Sequence, residues 1–335
     1  MYFNEIIGHE RIIENLISTV KLGKISHAYI FDGADGIGKE KTAKIFAEAI
    51  LCEDFKGELC GECKSCHLTF SETHPDLKVV DLTIGEDGKQ RASIPVEAVR
   101  QLKKDVYLKP FFSKKKIYIL ENAEKMTVEA QNAMLKIFEE PPEYVTMILI
   151  CNGLSKLLST IKSRAVIFKF PNLKPKELEK YLNTYYNDID NKSIYTNISD
   201  GSISKMMSLI SDEQSLNFRE SVLKSFIKLL KSDSTVSFND LFDIFIKNKD
   251  ERADIISQLS IFAFDIVYAK TGNISKIVNV DYKNEIEEIA GKLSLSNIYN
   301  IEKIISVFSE QVNKNANYKL AVLNTMINIK EEIYG

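Results

Sequence analysis

A glycine-rich segment between a predicted strand and a predicted helix has the spacing of a phosphate-binding loop. Gly33, Gly38 and Lys39 stand at the positions of its outer glycines and its lysine, with Gly36 between them. In such a loop the backbone N–H groups and the N-terminus of the following helix face a phosphate, and the lysine adds a positive charge. The next residue is ordinarily a Ser or Thr whose hydroxyl binds Mg²⁺. Here it is Glu40, so we predict a nucleotide-motor fold that has stopped being a motor.

A second apolar strand, residues 117–120, also ends in residues that depart from the ATPase pattern. A working phosphate-loop ATPase needs an Asp that holds Mg²⁺ and then a Glu that activates water, whereas this chain has Glu121 and Asn122. An amide is not a base at neutral pH, so Asn122 cannot accept the proton. Asn152, at the tip of a later strand, is the candidate sensor of a γ-phosphate. We expect ATP or ADP to bind weakly or not at all.

Four of the five cysteines lie within fifteen residues, at Cys52, Cys60, Cys63 and Cys66. Two overlapping Cys-x-x-Cys steps preceded by a fourth Cys are typical of a zinc site. Four thiolates fill a tetrahedral Zn²⁺ and leave no position for water, so the predicted site is structural rather than catalytic. A redox Cys-x-x-Cys pair and plain buried thiols are the alternatives.

Strands alternate with helices as far as residue 170, which predicts an α/β domain with a five-stranded parallel sheet. The predicted strands cover residues 28–31, 77–82, 117–120, 145–150 and 166–170, the second of them a buried type. Thr127 is the predicted N-cap of the helix after the third strand. A small helical lid is expected over residues 171–211. Residues 212–335 show only helical periodicity, which fits an oligomerisation domain or a free-standing helical bundle. One of their predicted apolar stripes consists of Val222, Phe226, Leu229 and Leu230. The basic run 114–116 is expected to be solvated at the start of a strand.

Composition excludes several classes of protein. The formal net charge is −3, with 44% hydrophobic and 27% charged residues among 335, so no global field attracts the chain to nucleic acid. No apolar run is long enough to span a bilayer, and residues 1–5 lack the regions of a signal peptide. We therefore expect a soluble protein of the reducing cytoplasm, without membrane contact.

Several short motifs together resemble one family, the bacterial clamp-loader AAA+ proteins, which include the γ/τ and δ′ subunits of DNA polymerase III. The motifs are His27-Ala28-Tyr29, the four-Cys insertion, His74-Pro75-Asp76, Asn132-Ala133-Met134-Leu135-Lys136, Glu139-Glu140-Pro141-Pro142 and Ser163-Arg164. They are dense over residues 1–210, and the similarity beyond is architectural. The resemblance implies a AAA+ domain over 1–170 with a zinc module at 52–66, a lid over 171–211 and a helical collar over 212–335.

The departures from the family pattern favour its δ′ branch, whose members are stationary partners of the γ/τ ATPase. Besides Glu40 and the pair Glu121-Asn122, Ser204 stands where the motor's lid arginine is expected. The resemblance then implies a non-enzymatic subunit that supplies Arg164 as an arginine finger to the neighbouring ATP site. It also implies γ/τ and δ as direct partners, with the β sliding clamp and primer–template DNA reached through the assembly.

Two other readings remain open at this point. An active γ/τ-type ATPase would need Thr42 or another group in place of the missing Mg²⁺ ligand, and a base other than Asn122. A stand-alone zinc-containing nucleic-acid binder is disfavoured by the acidic balance and by the absence of aromatic–basic patches in the sequence.

Overall fold

The computed structural model describes residues 2–84, 88, 91–189, 192–313 and 317–335. The chain divides into two compact units. The first contains the residues up to Asn187 together with Asp200–Ser204, and the second contains Asp188–Ser199 and Lys205–Gly335. The three-domain division at residues 170 and 211 stays a prediction, because the segment assigned to a separate lid is shared here between the two units.

A five-stranded parallel sheet lies at the centre of the first unit, as predicted. Its strands are β1 (Ala28–Asp32), β2 (Leu77–Asp81), β3 (Lys116–Glu121), β4 (Val145–Cys151) and β5 (Val166–Lys169). Their order across the sheet is β2-β3-β4-β1-β5, and every pair is parallel. The carboxyl ends of all five strands therefore lie along one edge, where ligands bind in sheets of this kind.

Helices cover both faces of this sheet, which is why its central strands read as continuous apolar runs. In β1, Tyr29 and Phe31 pack on one face, and Ala28 and Ile30 pack on the other. The helices of the first unit are α1 (Glu10–Lys21), α2 (Lys39–Leu51), α3 (Lys64–Phe70), α4 (Val96–Val106), α5 (Val128–Glu139), α6 (Ser159–Lys162) and α7 (Pro175–Tyr185). The predicted N-cap of α5 is confirmed, because the Thr127 side chain accepts a hydrogen bond from the Ala130 N–H.

Two local predictions about this unit are wrong. The strand β2 is not a buried type but the outermost strand of the sheet, and Val79 is 43% exposed. The basic run is not wholly solvated either, because Lys116 is buried at the start of β3. Its ammonium lies 3.3 Å from the Asp105 carboxylate and donates to the Asp105 carbonyl at 2.9 Å. A buried ammonium needs such partners, since desolvation otherwise disfavours its charge.

The second unit is helical throughout its described residues. Its helices are α8 (Lys192–Ile198), the greater part of α9 (Ile203–Ser211), α10 (Glu213–Lys231), α11 (Thr235–Lys247), α12 (Arg252–Lys270), α13 (Lys283–Lys292), α14 (Leu295–Asn313) and α15 (Tyr318–Tyr334). The apolar stripe predicted at Val222, Phe226, Leu229 and Leu230 is buried in the core of this unit. Among the described helices, we find none with the length and apolar character that a membrane crossing requires.

A buried polar network joins three segments of the second unit. The Arg219 guanidinium on α10 donates to both carboxylate oxygens of Asp281, at 2.7 and 2.9 Å, and to Asn279 Oδ1 at 2.6 Å. Asn279 in turn donates from its backbone and its side-chain amide to the Asp265 carboxylate on α12, at 2.9 and 2.7 Å. The network fixes the segment before α13 against α10 and α12.

Candidate functional site

The predicted phosphate loop lies between the end of β1 and the start of α2, with Gly36 and Gly38 at positive φ. Lys39, the first residue of α2, is 5% exposed. Its ammonium donates to the carbonyls of Gly33 and Ala34 at 2.7 and 2.5 Å. Burial lowers the pKa of Lys39, and nearby acidic side chains oppose that shift. The lysine that would contact a phosphate is thus bonded to the loop itself.

The segment 202–204 packs directly on this loop. The Ile203 N–H donates to the Gly36 carbonyl at 2.9 Å. A β-carbon added at Gly36 would lie 2.5 Å from Ser202 Oγ and 2.5 Å from Ser204 Cβ, so only glycine fits there. Ser204, at the predicted place of a lid arginine, therefore covers the loop with a short hydroxyl side chain and brings no cation to it.

The polar residues predicted at the strand ends do converge on the same edge. The Asn152 side chain donates to Asp35 Oδ2 at 3.2 Å, and Asp35 lies 3.9 Å from the Lys39 ammonium. Asn122 has a left-handed backbone, with φ of 55°, and its amide donates to Asp81 Oδ2 at 3.2 Å. The phosphate loop and the ends of β3 and β4 therefore lie in one region. There the amides of Asn122 and Asn152 are hydrogen-bonded to the carboxylates of Asp81 and Asp35.

Acidic groups dominate the electrostatics of this edge. Burial raises the pKa of Glu121, and the charges of Glu40 and Asp81 raise it further. The charges of Asp35 and Glu40 raise the pKa of Lys39, against the lowering that burial causes. A triphosphate placed here would meet several carboxylates, and the ammonium of Lys39 is already hydrogen-bonded to the loop.

Sequence reasoning missed two contributions to this region. His9 precedes α1 with φ of 61°, is buried, and its Nε2 lies 2.9 Å from the Ile37 carbonyl of the loop. Burial lowers the pKa of His9. Asp81 ends β2 and reaches Asn122 across the sheet edge. A lone histidine carries no signal by spacing, but Asp81 follows an apolar strand and could have been found by the same rule as Glu121.

The four predicted cysteines form one cluster. The Sγ atoms of Cys52, Cys60, Cys63 and Cys66 all lie within 4.8 Å of one another, and two of the pairs are 3.6 and 3.8 Å apart. Four sulfurs at about 2.3 Å from Zn²⁺ in a tetrahedron lie about 3.8 Å from each other. The cluster therefore fits a metal ion with four thiolate ligands.

Backbone groups support this cluster from the surrounding loop. The N–H of Cys63 donates to Cys60 Sγ, and the N–H of Cys66 donates to Cys63 Sγ, each at 3.4 Å. The N–H groups of Cys63 and Glu62 lower the pKa of Cys60 to about 7, which favours the thiolate that binds a metal. His74 is engaged elsewhere, with its Nε2 3.1 Å from Ser113 Oγ, so it is not a fifth candidate ligand.

Arg164 follows α6 and lies at the surface of the first unit, with its side chain 37% exposed. Its guanidinium is 3.1 Å from the Glu139 carboxylate and donates to the Thr160 carbonyl at 3.0 Å. Arg164 precedes β5, whereas the phosphate loop follows the parallel strand β1, so the two lie at opposite edges of the sheet.

A five-stranded parallel sheet of this order, with a phosphate loop after β1 and helices following the sheet, defines a protein of the AAA+ class. Family models described as "DNA polymerase III, delta subunit" and "DNA polymerase III, delta subunit, C terminal" match residues 8–174 and 213–331. The chain belongs to this family of DNA polymerase III clamp-loader subunits. Its similarity to a delta′ subunit extends over nearly the whole length of both chains.

The chain covers different shares of the lengths of its relatives. It is 25% identical to DNA polymerase III subunit delta′ of Bacillus subtilis, over 96% of this chain and 96% of that protein. It is 32% identical to the gamma/tau subunit of Mycoplasma pneumoniae, over 51% of this chain but only 24% of that protein. A solved gamma-subunit-related protein of Thermotoga maritima is 17% identical, with a TM-score of 0.44, and covers 96% of this chain and 99% of its own.

Proposed function

We propose that this protein is a non-catalytic subunit of the DNA polymerase III clamp loader. It assembles with γ/τ and δ, and the assembly places the β sliding clamp on primed DNA. The observation that carries this proposal lies at the two positions where hydrolysis chemistry is expected. Glu40 stands in place of a Mg²⁺-binding hydroxyl, and Asn122, in place of a base, donates its amide to Asp81. The near full-length similarity to a delta′ subunit supports the same function.

The position of Thr42 argues against the alternative, an active ATPase of the γ/τ type. That alternative needs a hydroxyl to replace the Mg²⁺ ligand lost at Glu40, and Thr42 is the candidate. Thr42 is fully buried, and its hydroxyl donates to the Gly38 carbonyl at 2.8 Å inside α2. Because this oxygen is buried within α2, a metal ion on the phosphate side of the loop does not reach it.

Two features would act outside the chain's own nucleotide site. Arg164 is proposed to reach the ATP site of a neighbouring γ/τ subunit, because it is a partly exposed arginine on the Ser-Arg motif and lies at the opposite edge of the sheet from the phosphate loop of its own chain. An arginine finger stabilises charge that develops on the γ-phosphate. The four-cysteine cluster is proposed to hold Zn²⁺, which would stabilise its loop and would take no part in catalysis.

The deciding experiment measures ATP binding and hydrolysis by the purified chain with Mg²⁺ and primed DNA. We expect no ATP turnover by the chain alone. We also expect that Lys39→Ala in this chain leaves clamp loading by the reconstituted assembly unchanged. Turnover by the chain alone that Lys39→Ala abolishes would establish the γ/τ-type alternative instead. Omission of the chain from the reconstituted assembly should prevent loading, and loading without it would refute a role as a required subunit.

A further inference from the structure

The loop between α4 and β3 carries an apolar projection that the site above does not use. We call residues 107–113 the Phe111 loop. Phe111 is 89% exposed, the most exposed large apolar side chain among the described residues, and Leu108 is 61% exposed. Tyr107 and Phe112 beside them are 46% and 37% exposed. Contiguous exposed apolar side chains of this kind mark interaction surfaces, whereas single exposed apolar residues are common on any protein.

A buried carboxylate holds this loop in its shape. Asp76 is fully buried and accepts hydrogen bonds from the N–H groups of Phe111, Phe112 and Ser113, at 2.6, 2.8 and 2.7 Å. Burial alone would raise the pKa of Asp76, but these bonds outweigh it and the net pKa is lowered. These bonds order the backbone that carries Phe111, so little backbone conformational entropy remains to be lost when the exposed side chain docks.

Lysines surround the projection, so the expectation that the sequence lacks aromatic–basic patches is wrong for this loop. Lys109 and Lys114 flank Phe111 and are exposed. The ammonium of Lys103 lies 6.0 Å from the centre of the Tyr107 ring, and that of Lys64 lies 4.5 Å from the centre of the Phe112 ring. The fold creates this patch by bringing α3, α4 and the loop together.

We propose that the Phe111 loop docks into an apolar pocket with a carboxylate rim on a partner protein. Phe111 and Leu108 would fill the pocket, and the lysines would face the acidic rim. Single-stranded nucleic acid fits less well, because base stacking uses several open aromatic faces. Here the rings of Tyr107 and Phe112 already carry lysine ammonium groups, which leaves Phe111 alone for stacking.

The test measures binding of the full chain to four separate probes: purified γ/τ, purified δ, the β sliding clamp and a fluorescent primed oligonucleotide. The three protein probes come from the proposed assembly, so the docking proposal rests on the proposed function for their choice. Phe111→Ala should weaken binding of one protein probe roughly thirtyfold, as expected for an aromatic anchor. The control Leu22→Ala, at an exposed position (64%) after α1, should leave binding unchanged.

Charge reversal tests the acidic rim. Lys109→Glu with Lys114→Glu should weaken the same complex and reduce its salt dependence, whereas Lys24→Glu, also exposed, should not.

The melting curve of Phe111→Ala should match that of the wild type, because the Phe111 side chain packs on almost nothing. Loss of oligonucleotide binding by Phe111→Ala, or equal binding of wild type and variant to all three proteins, would overturn the proposal. Normal clamp loading in the latter case would leave the proposed function intact, whereas a chain that joins no assembly would refute that function.

Discussion

The Arg164 guanidinium lies 3.1 Å from the Glu139 carboxylate of the same chain. The pair joins the end of α5 to the turn before β5, and both side chains are partly exposed, at 37% and 49%. Exposed ion pairs contribute about 0–1 kcal/mol. A phosphate of a neighbouring subunit could therefore replace Glu139 as the partner of Arg164 at little cost in free energy.

Arg164→Ala should slow ATP hydrolysis in the reconstituted loader without unfolding the chain. Removal of an arginine finger lowers turnover at its site by roughly a thousandfold or more in well-studied cases. Because only the neighbouring site loses its finger, we expect one slow phase in single-turnover hydrolysis and normal rates at the other sites. An unchanged rate at every site would remove the finger role.

Glu139→Ala is the matched variant for that experiment. If Arg164 serves only the ion pair, both substitutions should have the same small effect on stability and none on hydrolysis. If Arg164 acts across an interface, Glu139→Ala should retain hydrolysis because the guanidinium is still present. The two variants therefore separate a structural pair from a catalytic contact by rate alone.

Cys63→Ser should abolish zinc binding and destabilise the loop around α3. Three remaining thiolates and a hydroxyl bind Zn²⁺ far more weakly than four thiolates, and structural zinc contributes on the order of 10 kcal/mol to local folding at neutral pH. Elemental analysis should find one zinc per wild-type chain and a small fraction of that in the variant. Cys151→Ala is the control, since Cys151 is buried at the end of β4 outside the cluster. Full zinc content in Cys63→Ser would refute the four-thiolate site.

Asp76→Asn should destabilise the first unit at pH 7 and less so in acid. The pKa of Asp76 is lowered in the folded chain, so the folded state binds fewer protons and the carboxylate stabilises it above about pH 4. This stabilisation is lost as pH falls through the folded pKa. An amide keeps one acceptor oxygen, so we expect a loss of about 1–3 kcal/mol at neutral pH. Denaturation curves at several pH values measure it.

Ser113→Ala provides the comparison for Asp76→Asn. It removes the contact between Ser113 Oγ and His74 Nε2 but keeps the Ser113 N–H that bonds Asp76. Its effect on stability should be small and should not change near pH 4. A constant difference between wild type and Asp76→Asn from pH 7 to pH 3 would show that the ionised carboxylate does not hold the loop.

Features that depend on neighbouring residues in the chain were predictable from the sequence. Apolar runs predicted all five strands. For the three inner strands, β1, β3 and β4, the run is continuous because helices cover both faces. The spacing of Cys60, Cys63 and Cys66 predicted the cluster, since two short steps of the chain bring their sulfurs together. Thr127 predicted the start of α5 because capping is decided within three residues.

Features that depend on the order of strands or on distant partners were not predictable. The edge position of β2 follows from sheet topology, and a short apolar run does not reveal it. Lys116 is buried because Asp105, eleven residues earlier, lies beside it. The Phe111 loop is held by Asp76, 35 residues away, and the apolar residues around Phe111 give no sign of its exposure. In each case the deciding contact forms only when the chain has folded.

Arg219→Leu should destabilise the second unit by about 3–5 kcal/mol, because it leaves the carboxylate of Asp281 and the buried amide of Asn279 without their cation. Arg219→Lys should fall between this variant and wild type, since an ammonium cannot bond both oxygens of Asp281 in a planar fork. Hydrogen exchange of amides in α10 and α12 is the suitable measurement, because a chain of two units need not unfold in one step. The control is Lys247→Ala, which breaks an exposed pair with Asp243 and should cost less than about 1 kcal/mol. Equal exchange in Arg219→Leu and Lys247→Ala would show that the buried network does not stabilise this unit.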